Sequence, residues 1–101
     1  MPAVCRGSLR DKDGFHCSQP RRLANSHNVF VNGTGISRQG DVNNSHLLPG
    51  AICPSHQAPI TTGSTTVFIN GKGCGRVGDA VTDCRPVATG SENVFCGPQI
   101  G

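Results

Sequence analysis

A repeat with a period of 38 residues constrains this chain more than any other feature. When the sequence is shifted against itself by that length, residues 26–46 overlay residues 64–84, and nine of the 21 aligned positions are identical. Average composition would give roughly one or two matches. The chain is therefore built from near-equal units. The identical positions, each matched 38 residues later, are Ser26, Val29, Phe30, Asn32, Gly33, Gly35, Arg38, Gly40 and Asp41.

A third, truncated copy lies at about residues 90–97. Its Gly-Ser-Glu-Asn-Val-Phe restates the Gly-Ser-Thr-Thr-Val-Phe of residues 63–68, and it ends before its turn can form. At the other end of the chain, Arg6-Gly7 echoes the Arg-x-Gly of the repeat, and Ser8 stands where the repeat has Asp. We expect one domain over residues 1–101. Its three copies of one strand lie either around a pseudo-threefold axis or in a plain meander of three hairpins.

Each complete copy predicts a β-hairpin. A run of β-branched and aromatic residues leads into Asn-Gly at 32–33 and again at 70–71. Asn-Gly is the strongest short hairpin signal, because both central residues of a type I′ turn need positive φ. The sequence thus predicts an all-β fold whose Phe-bearing strands, together with Val94-Phe95, supply most of the core. We expect returning strands at 36–39 and 74–77, and connecting loops at 43–59 and 82–90.

The composition leaves such a fold short of core material. Of 101 residues 35% are hydrophobic, with four Phe and no Trp or Tyr, and small domains bury a smaller fraction of their surface than large ones. We expect an additional staple, which six Cys and four His can supply as disulfides or as a metal site. Since no secretory signal or transmembrane run is recognisable, reduced or metal-bound thiols are favoured.

Charge gives no sign of a nucleic-acid partner. Nine Lys and Arg against six Asp and Glu leave a formal net charge of +3, scattered along the chain. The densest basic point is Arg21-Arg22, and no aromatic residues are interleaved with it. We interpret it as a solvated dipeptide.

The repeat also points to a metal site. The fifth residue after the Asp of Gly-Asp is His46 in the first complete copy and Cys84 in the second, and imidazole with thiolate is a normal zinc pairing. Two further ligands are available in His56, between the copies, and His16, in the N-terminal segment. A tetrahedron of three His and one Cys would join hairpins that have little core of their own.

Several alternatives stay open at this point. Cys17 and Cys53 are rival ligands, and surface His with buried, inert Cys would need no metal. Two other functional classes also stay open, a secreted binding module stapled by disulfides and a small redox or hydrolytic enzyme. His27 is expected to be exposed. No role is assigned to the cysteines outside the predicted ligand set, which are Cys5, Cys17, Cys53, Cys74 and Cys96.

No catalytic residue is assigned. His16 and Cys17 are neighbours, and neighbouring side chains on a strand point to opposite faces, which disfavours a nucleophile and base pair. Asp41 and Asp79 follow Gly in tight turns, where we expect each to hydrogen-bond its own backbone.

The motif at residues 63–79, Gly-Ser-x-x-Val-Phe-Ile-Asn-Gly-x-x-x-x-Arg-Val-Gly-Asp, resembles the PAAR-repeat proteins. The resemblance extends over nearly the whole chain, although Pro-Ala-Ala-Arg itself is replaced at residues 35–38 and 73–76. It implies a conical β-structured cap, one per trimer, on the blunt end of a trimeric β-helical spike. Such spikes are of the VgrG type in type VI secretion or form the central spike of contractile phage tails.

The resemblance also implies a site and a mode of action. Family members hold a metal near the vertex, usually zinc bound by three His and one Cys, at positions that match His16, His46, His56 and Cys84. The action is mechanical, with transient contact between the sharpened tip and a target membrane. The resemblance implies assembly in the bacterial cytoplasm and delivery outside or into the target cell, with any effector as a separate chain.

Overall fold

The computed structural model describes residues 2–14, 20–44, 46–47, 55–82 and 84–97, with the backbone alone at 46–47 and 55–56. These residues form six short strands, paired antiparallel as three hairpins, β1 with β2, β3 with β4 and β5 with β6. None of them belongs to a helix able to cross a membrane. The strands are β1 (Phe30–Val31), β2 (Thr34–Gly35), β3 (His46–Leu47), β4 (Ser55–His56), β5 (Phe68–Ile69) and β6 (Lys72–Gly73).

The two Asn-Gly hairpins form as the repeat predicts. Asn32 and Gly33 have φ of 51° and 75°, and Asn70 and Gly71 have 54° and 80°, which is the left-handed region that a type I′ turn requires. The prediction of the returning strands at 36–39 and 74–77 was wrong, because β2 and β6 lie at residues 34–35 and 72–73 and end before those ranges begin. The segments that follow them pair with other copies instead.

Those segments close a pseudo-threefold ring. Residues 4–6, 36–38 and 74–76 are linked by three equivalent bridges, Val4 to Arg76, Ile36 to Arg6 and Cys74 to Arg38. At the centre, the N–H of Cys5 donates to Gly75 O, that of Ser37 to Cys5 O and that of Gly75 to Ser37 O, over 2.9 to 3.0 Å. A meander would leave this cycle open, so the pseudo-threefold prediction is confirmed.

The truncated third copy is completed by the other end of the chain. Ala3 bridges Phe95, as Gly35 pairs with Phe30 and Gly73 with Phe68. The N–H of Val4 donates to Val94 O at 3.0 Å. We call residues 2–4 and 94–96 the split hairpin, because the two strands come from opposite ends of the chain and share no turn.

The loop predicted at 43–59 contains a hairpin, β3 with β4, so this prediction was wrong. Two-residue strands are too short for the alternation by which a strand is recognised in sequence. The loop predicted at 82–90 is likewise tied into the fold, since Val87 bridges Asp13.

Two apolar clusters form the core. The hairpin cluster consists of two pseudo-threefold triads, residues 4, 36 and 74 and residues 31, 69 and 96. The inner cluster contains Ala58, Ile60, Val81, Val87 and Cys5, with Cys84 packed against it.

The three repeated Phe side chains lie outside this core. Phe30 and Phe68 are each 60% exposed and Phe95 is 49% exposed, so the prediction that they supply most of the core was wrong. The cause is the strand alternation: Val31 and Ile69 turn inward, and their neighbours therefore turn outward.

The interpretation of Arg21-Arg22 as a solvated dipeptide was wrong for Arg22. Arg21 is exposed, but Arg22 has an exposed fraction of 0% and pairs with the equally buried Asp13 at 2.8 Å. Its backbone N–H donates to Asp11 O, just as that of Ile60 donates to Asp41 O and that of Val87 to Asp79 O. Arg22 thus takes the place of an apolar residue in one third of the inner layer, with a partner that local composition does not reveal.

Candidate functional site

Three equivalent arginine–aspartate pairs, which we call the Arg–Asp clamps, fix the strands of the pseudo-threefold ring. In each clamp the backbone N–H of Arg donates to Asp Oδ2 over 2.7 to 2.8 Å, and the guanidinium donates to both carboxylate oxygens. The carboxylates are buried. Two-point contacts of this kind combine strength with fixed geometry. The clamps are Arg6 with Asp11, Arg38 with Asp41 and Arg76 with Asp79.

The first clamp corrects the expectation that Ser8 leaves this copy without its acid. Asp11 supplies the carboxylate, five residues after Arg6 rather than three, and Ser8 and Leu9 take up the extra length with φ of 51° and 64°. Burial alone would raise the pKa of Asp11, but hydrogen bonds from the Arg6 side chain and backbone and from Thr89 outweigh it and lower that pKa. The clamp therefore holds an ionised carboxylate.

Asp11 also brings the N-terminal copy into register with the other two. His16 follows Asp11 by five residues, as His46 follows Asp41 and Cys84 follows Asp79. The backbone keeps this register beyond the clamps, because the N–H groups of residues 14, 44 and 82 donate to the carbonyls of residues 86, 21 and 59 over 2.8 to 3.1 Å. Three of the predicted ligands thus stand at equivalent positions of the repeat, each two residues further along the chain.

The structure places part of the predicted ligand set. His46 and His56 lie directly opposite each other in the pairing of β3 with β4. His16, Cys17 and Cys53 lie outside the described residues. Among the side chains that are described, no group of three or more His, Cys, Asp or Glu residues is arranged to hold a metal, and the ligand set stays a prediction.

Cys84 lies beside a buried polar group. Asn43 Nδ2 is 4.0 Å from Cys84 Sγ and donates to Asp13 Oδ2 at 2.8 Å, and Asn43 Oδ1 accepts from the Ala58 N–H at 2.8 Å. An N–H donor facing a thiolate is the kind of outer partner that metal-bound cysteines have. Three imidazoles with one thiolate form an ordinary closed zinc set, so the predicted ligands fit zinc by their chemistry.

The other described cysteines lack the properties of catalytic thiols. Cys5, Cys74 and Cys96 are buried and form no disulfide. Burial raises the pKa of all three thiols, and for Cys74 contact with Cys96 raises it further. Since the thiolate is the nucleophile, these thiols are poorly suited to catalysis.

The exposed Phe residues form a second candidate site. Phe30, Phe68 and Phe95 occupy equivalent positions next to the hairpin cluster, and Val67 and Val94 are exposed beside them. We call these five residues the Phe face. Exposed large apolar residues gathered on one face of a protein usually mark an interaction site.

A repeated serine holds each Phe-bearing strand. The Oγ atoms of Ser26, Ser64 and Ser91 accept from backbone N–H groups two and three residues ahead, the latter at 2.8 to 3.0 Å. Each hydroxyl also donates to another third. Ser26 and Ser91 donate to the turn residues Asn70 and Asn32, and Ser64 donates to the carbonyl of Gly97 at the equivalent position. The repeat shows these serines in the sequence, but their role in joining the three thirds appears only in the structure.

A model of the PAAR motif family matches residues 50–99, about half of the chain. The matched segment includes β5 and β6, the third clamp and the C-terminal strand of the split hairpin. It also includes His56 and Cys84 of the predicted ligands. Comparison with curated proteins gave no significant match.

Proposed function

The chain belongs to the family of PAAR-motif proteins, and we propose that it is a structural spike-tip protein that caps the blunt end of a trimeric β-helical spike. The observation that carries this proposal is the Phe face. One chain presents three nearly equal apolar contacts around a pseudo-threefold axis, so a single copy can meet three identical subunits at once.

The Phe face has the properties of a docking surface. Large aromatic side chains at the centre of an interface supply much of its binding energy. The serine hydrogen bonds hold the three Phe-bearing strands in place before binding, which lowers the ordering cost of association. The side chains that face outward are therefore repeated, apolar and preorganised.

The binding test uses a purified trimeric spike protein of the VgrG type or a phage central spike. Native mass spectrometry should find one cap per trimer, because one chain already contributes three contacts. Replacing Phe30, Phe68 and Phe95 together by Ala should abolish the complex while leaving the cap folded, since the three rings are exposed. Leu23→Ala, at an exposed apolar residue outside the Phe face, is the matched control and should bind normally. Three caps per trimer, or full binding by the triple variant, would contradict the proposal.

A zinc ion held by His16, His46, His56 and Cys84 would fasten the part of the chain beyond the inner cluster. The equal spacing of three ligands from the clamps and the pairing of His46 with His56 support this set. When bound, the metal would supply four bonds that join separate loops, and binding of a structural metal is coupled to folding.

The metal proposal is tested by zinc content and thermal unfolding of the purified chain. We expect one zinc per chain, and loss of both zinc and thermal stability when His46→Ala is combined with Cys84→Ser. His27→Ala changes an exposed histidine outside the set and should alter neither. Cys17→Ser and Cys53→Ser test the rival ligands. Unchanged zinc content and melting temperature in the His46 and Cys84 double variant would show that the ligand assignment is wrong.

The family is structural rather than enzymatic, and the proposed action is mechanical. The closed ring joins the three thirds through backbone hydrogen bonds, and Arg6 and Arg38 also donate to Asn32 and Asn70 of other thirds. Force applied at the Phe face would therefore be shared among the three thirds. In this role the protein is assembled on its spike in the bacterial cytoplasm. The spike then carries it to the target membrane.

A further inference from the structure

Two cysteines interrupt the otherwise β-branched hairpin cluster. Cys74 stands where the other thirds have Val4 and Ile36, and Cys96 stands where they have Val31 and Ile69. All other buried members of this cluster are Val or Ile. The two exceptions belong to the same buried cluster and are close enough that Cys96 raises the pKa of the Cys74 thiol.

Cys96 lies in the split hairpin, whose two strands share no turn. In the other two thirds an Asn-Gly turn joins the paired strands covalently. In the split hairpin the C-terminal strand is attached through backbone bonds, among them Val4 N to Val94 O and Cys96 N to Pro2 O, each 3.0 Å. Paired strands that share no turn open more readily than hairpins closed by one.

We propose that Cys74 and Cys96 are an oxidation site, at which a disulfide fastens the C-terminal strand of the split hairpin to the segment that follows β6. The bond would tie this strand covalently to the neighbouring third, since its own hairpin has no turn to hold it. The oxidant is a small-molecule disulfide of the glutathione type, met when the chain leaves a reducing compartment.

The reaction consists of two thiol–disulfide exchanges. Cys96 is the more exposed of the two, at 6% against 1%, and its thiolate attacks glutathione disulfide, forming a mixed disulfide and releasing one glutathione thiolate. The Cys74 thiolate then attacks the Cys96 sulfur, forming the internal disulfide and releasing the second glutathione. The two protons lost by the cysteines end on the two glutathiones, and the oxidant takes up the two electrons.

Burial sets the rate of this reaction. Both thiols have pKa values raised by burial, so little thiolate is present while the split hairpin is closed. Oxidation therefore proceeds through local opening of the C-terminal strand. We expect it to be slow in buffer and faster in urea concentrations below the unfolding transition.

The test is oxidation of the full chain by glutathione disulfide, followed by alkylation and peptide mapping without reduction. A Cys74–Cys96 linked peptide should form, two mass units lighter than the sum of its reduced parts, while Cys5 in the inner cluster stays reduced. The oxidised chain should melt at a higher temperature than the reduced chain, since the cross-link restricts the unfolded state.

Matched variants come from the pseudo-threefold equivalents. Cys96→Val and Cys74→Val introduce the residue that the other thirds carry, so they should fold and should lose the oxidation-dependent rise in melting temperature. Oxidation that runs to completion without the Cys74–Cys96 peptide, whether by mixed disulfides or by other pairings, would overturn the proposal. A Cys74–Cys96 peptide that forms only after full unfolding of the chain would also overturn it. Because no spike protein is involved, the result is independent of the proposed capping role.

Discussion

The hairpin cluster and the inner layer, which consists of the inner cluster and the buried polar residues Arg22, Asp13 and Asn43, lie around the same pseudo-threefold axis. They differ in how closely they keep its symmetry. In the hairpin cluster all three thirds are apolar. In the inner layer two thirds place Ile60 and Val87 at one set of equivalent positions, and the remaining third places Arg22 there. The symmetry is thus kept at the end that presents the Phe face and is broken inside, where no repeated partner has to be matched.

The charged third is accommodated by a polar network. Arg22 Nη1 donates to Asp13 Oδ2 at 2.8 Å, Arg22 Nη2 donates to Asp41 O at 2.5 Å, and Asn43 Nδ2 also reaches Asp13. Arg22 Nε is buried without a hydrogen-bond partner. Removing two charges from water is costly, and their attraction often only offsets that cost.

The largest expected effect comes from removing one charge of this network. Arg22→Met leaves Asp13 buried beside Asn43 without its cation, which should lower the free energy of unfolding by about 3 to 5 kcal/mol. Urea denaturation followed by far-ultraviolet circular dichroism measures the change.

The matched variant makes these positions of the inner layer apolar in all three thirds. The bridges of Arg22 to Asn43, Ile60 to Val81 and Val87 to Asp13 show that Val81 is the equivalent of both Asn43 and Asp13. Replacing Arg22, Asp13 and Asn43 together by Val should therefore cost much less than Arg22→Met alone. If the triple variant were as unstable as the single one, shape rather than charge would set the difference between the two layers.

An intermediate effect is expected at the first clamp, and it depends on pH. The pKa of Asp11 is lowered in the folded chain, so its contribution to stability is complete above the unfolded value of about 3.9 and is lost as the pH falls through the folded value. Asp11→Asn should be less stable than the natural chain at neutral pH by about 1 to 3 kcal/mol. The gap should narrow as the pH falls below the unfolded value and through the lowered folded value, as measured by melting temperature across the range.

Glu92→Gln serves as the control, because Glu92 is an exposed acid. Its melting curve should follow that of the natural chain at every pH. A gap for Asp11→Asn that stayed constant with pH would show that the loss comes from packing and not from the ionised clamp.

The smallest effect is expected at the turns of the hairpins. A Cβ atom added at Gly33 would meet no atom within 4 Å, so Gly33→Ala is disfavoured only by its positive φ, at about 1 kcal/mol. Gly71→Ala should cost the same, because its environment is equally open. Unequal losses in chemical denaturation would show that the two complete thirds are less alike than their backbones.

Much of the fold could be predicted, since its signals are local. The all-β class and the Asn-Gly turns follow from short stretches whose backbone needs particular residues, and the repeat left a pseudo-threefold arrangement as one of two alternatives. Of the candidate site, sequence spacing marks His46 and Cys84 as equivalents, and the ligand set that adds His56 and His16 stays a prediction. The spacing missed the role of Asp11, because a two-residue insertion moved the acid away from its expected place.

The sequence by itself determined the units of this protein, because a type I′ turn or a clamp formed by nearby residues depends on φ, ψ and chemistry within a few positions. The tertiary structure decided what each unit meets. Arg22 is buried because Asp13 and the Asp41 carbonyl come to it from other segments, and the Phe side chains face outward because their neighbours fill the cluster. The split hairpin joins strands more than 90 residues apart, and contacts of that range leave no pattern in any one stretch of sequence.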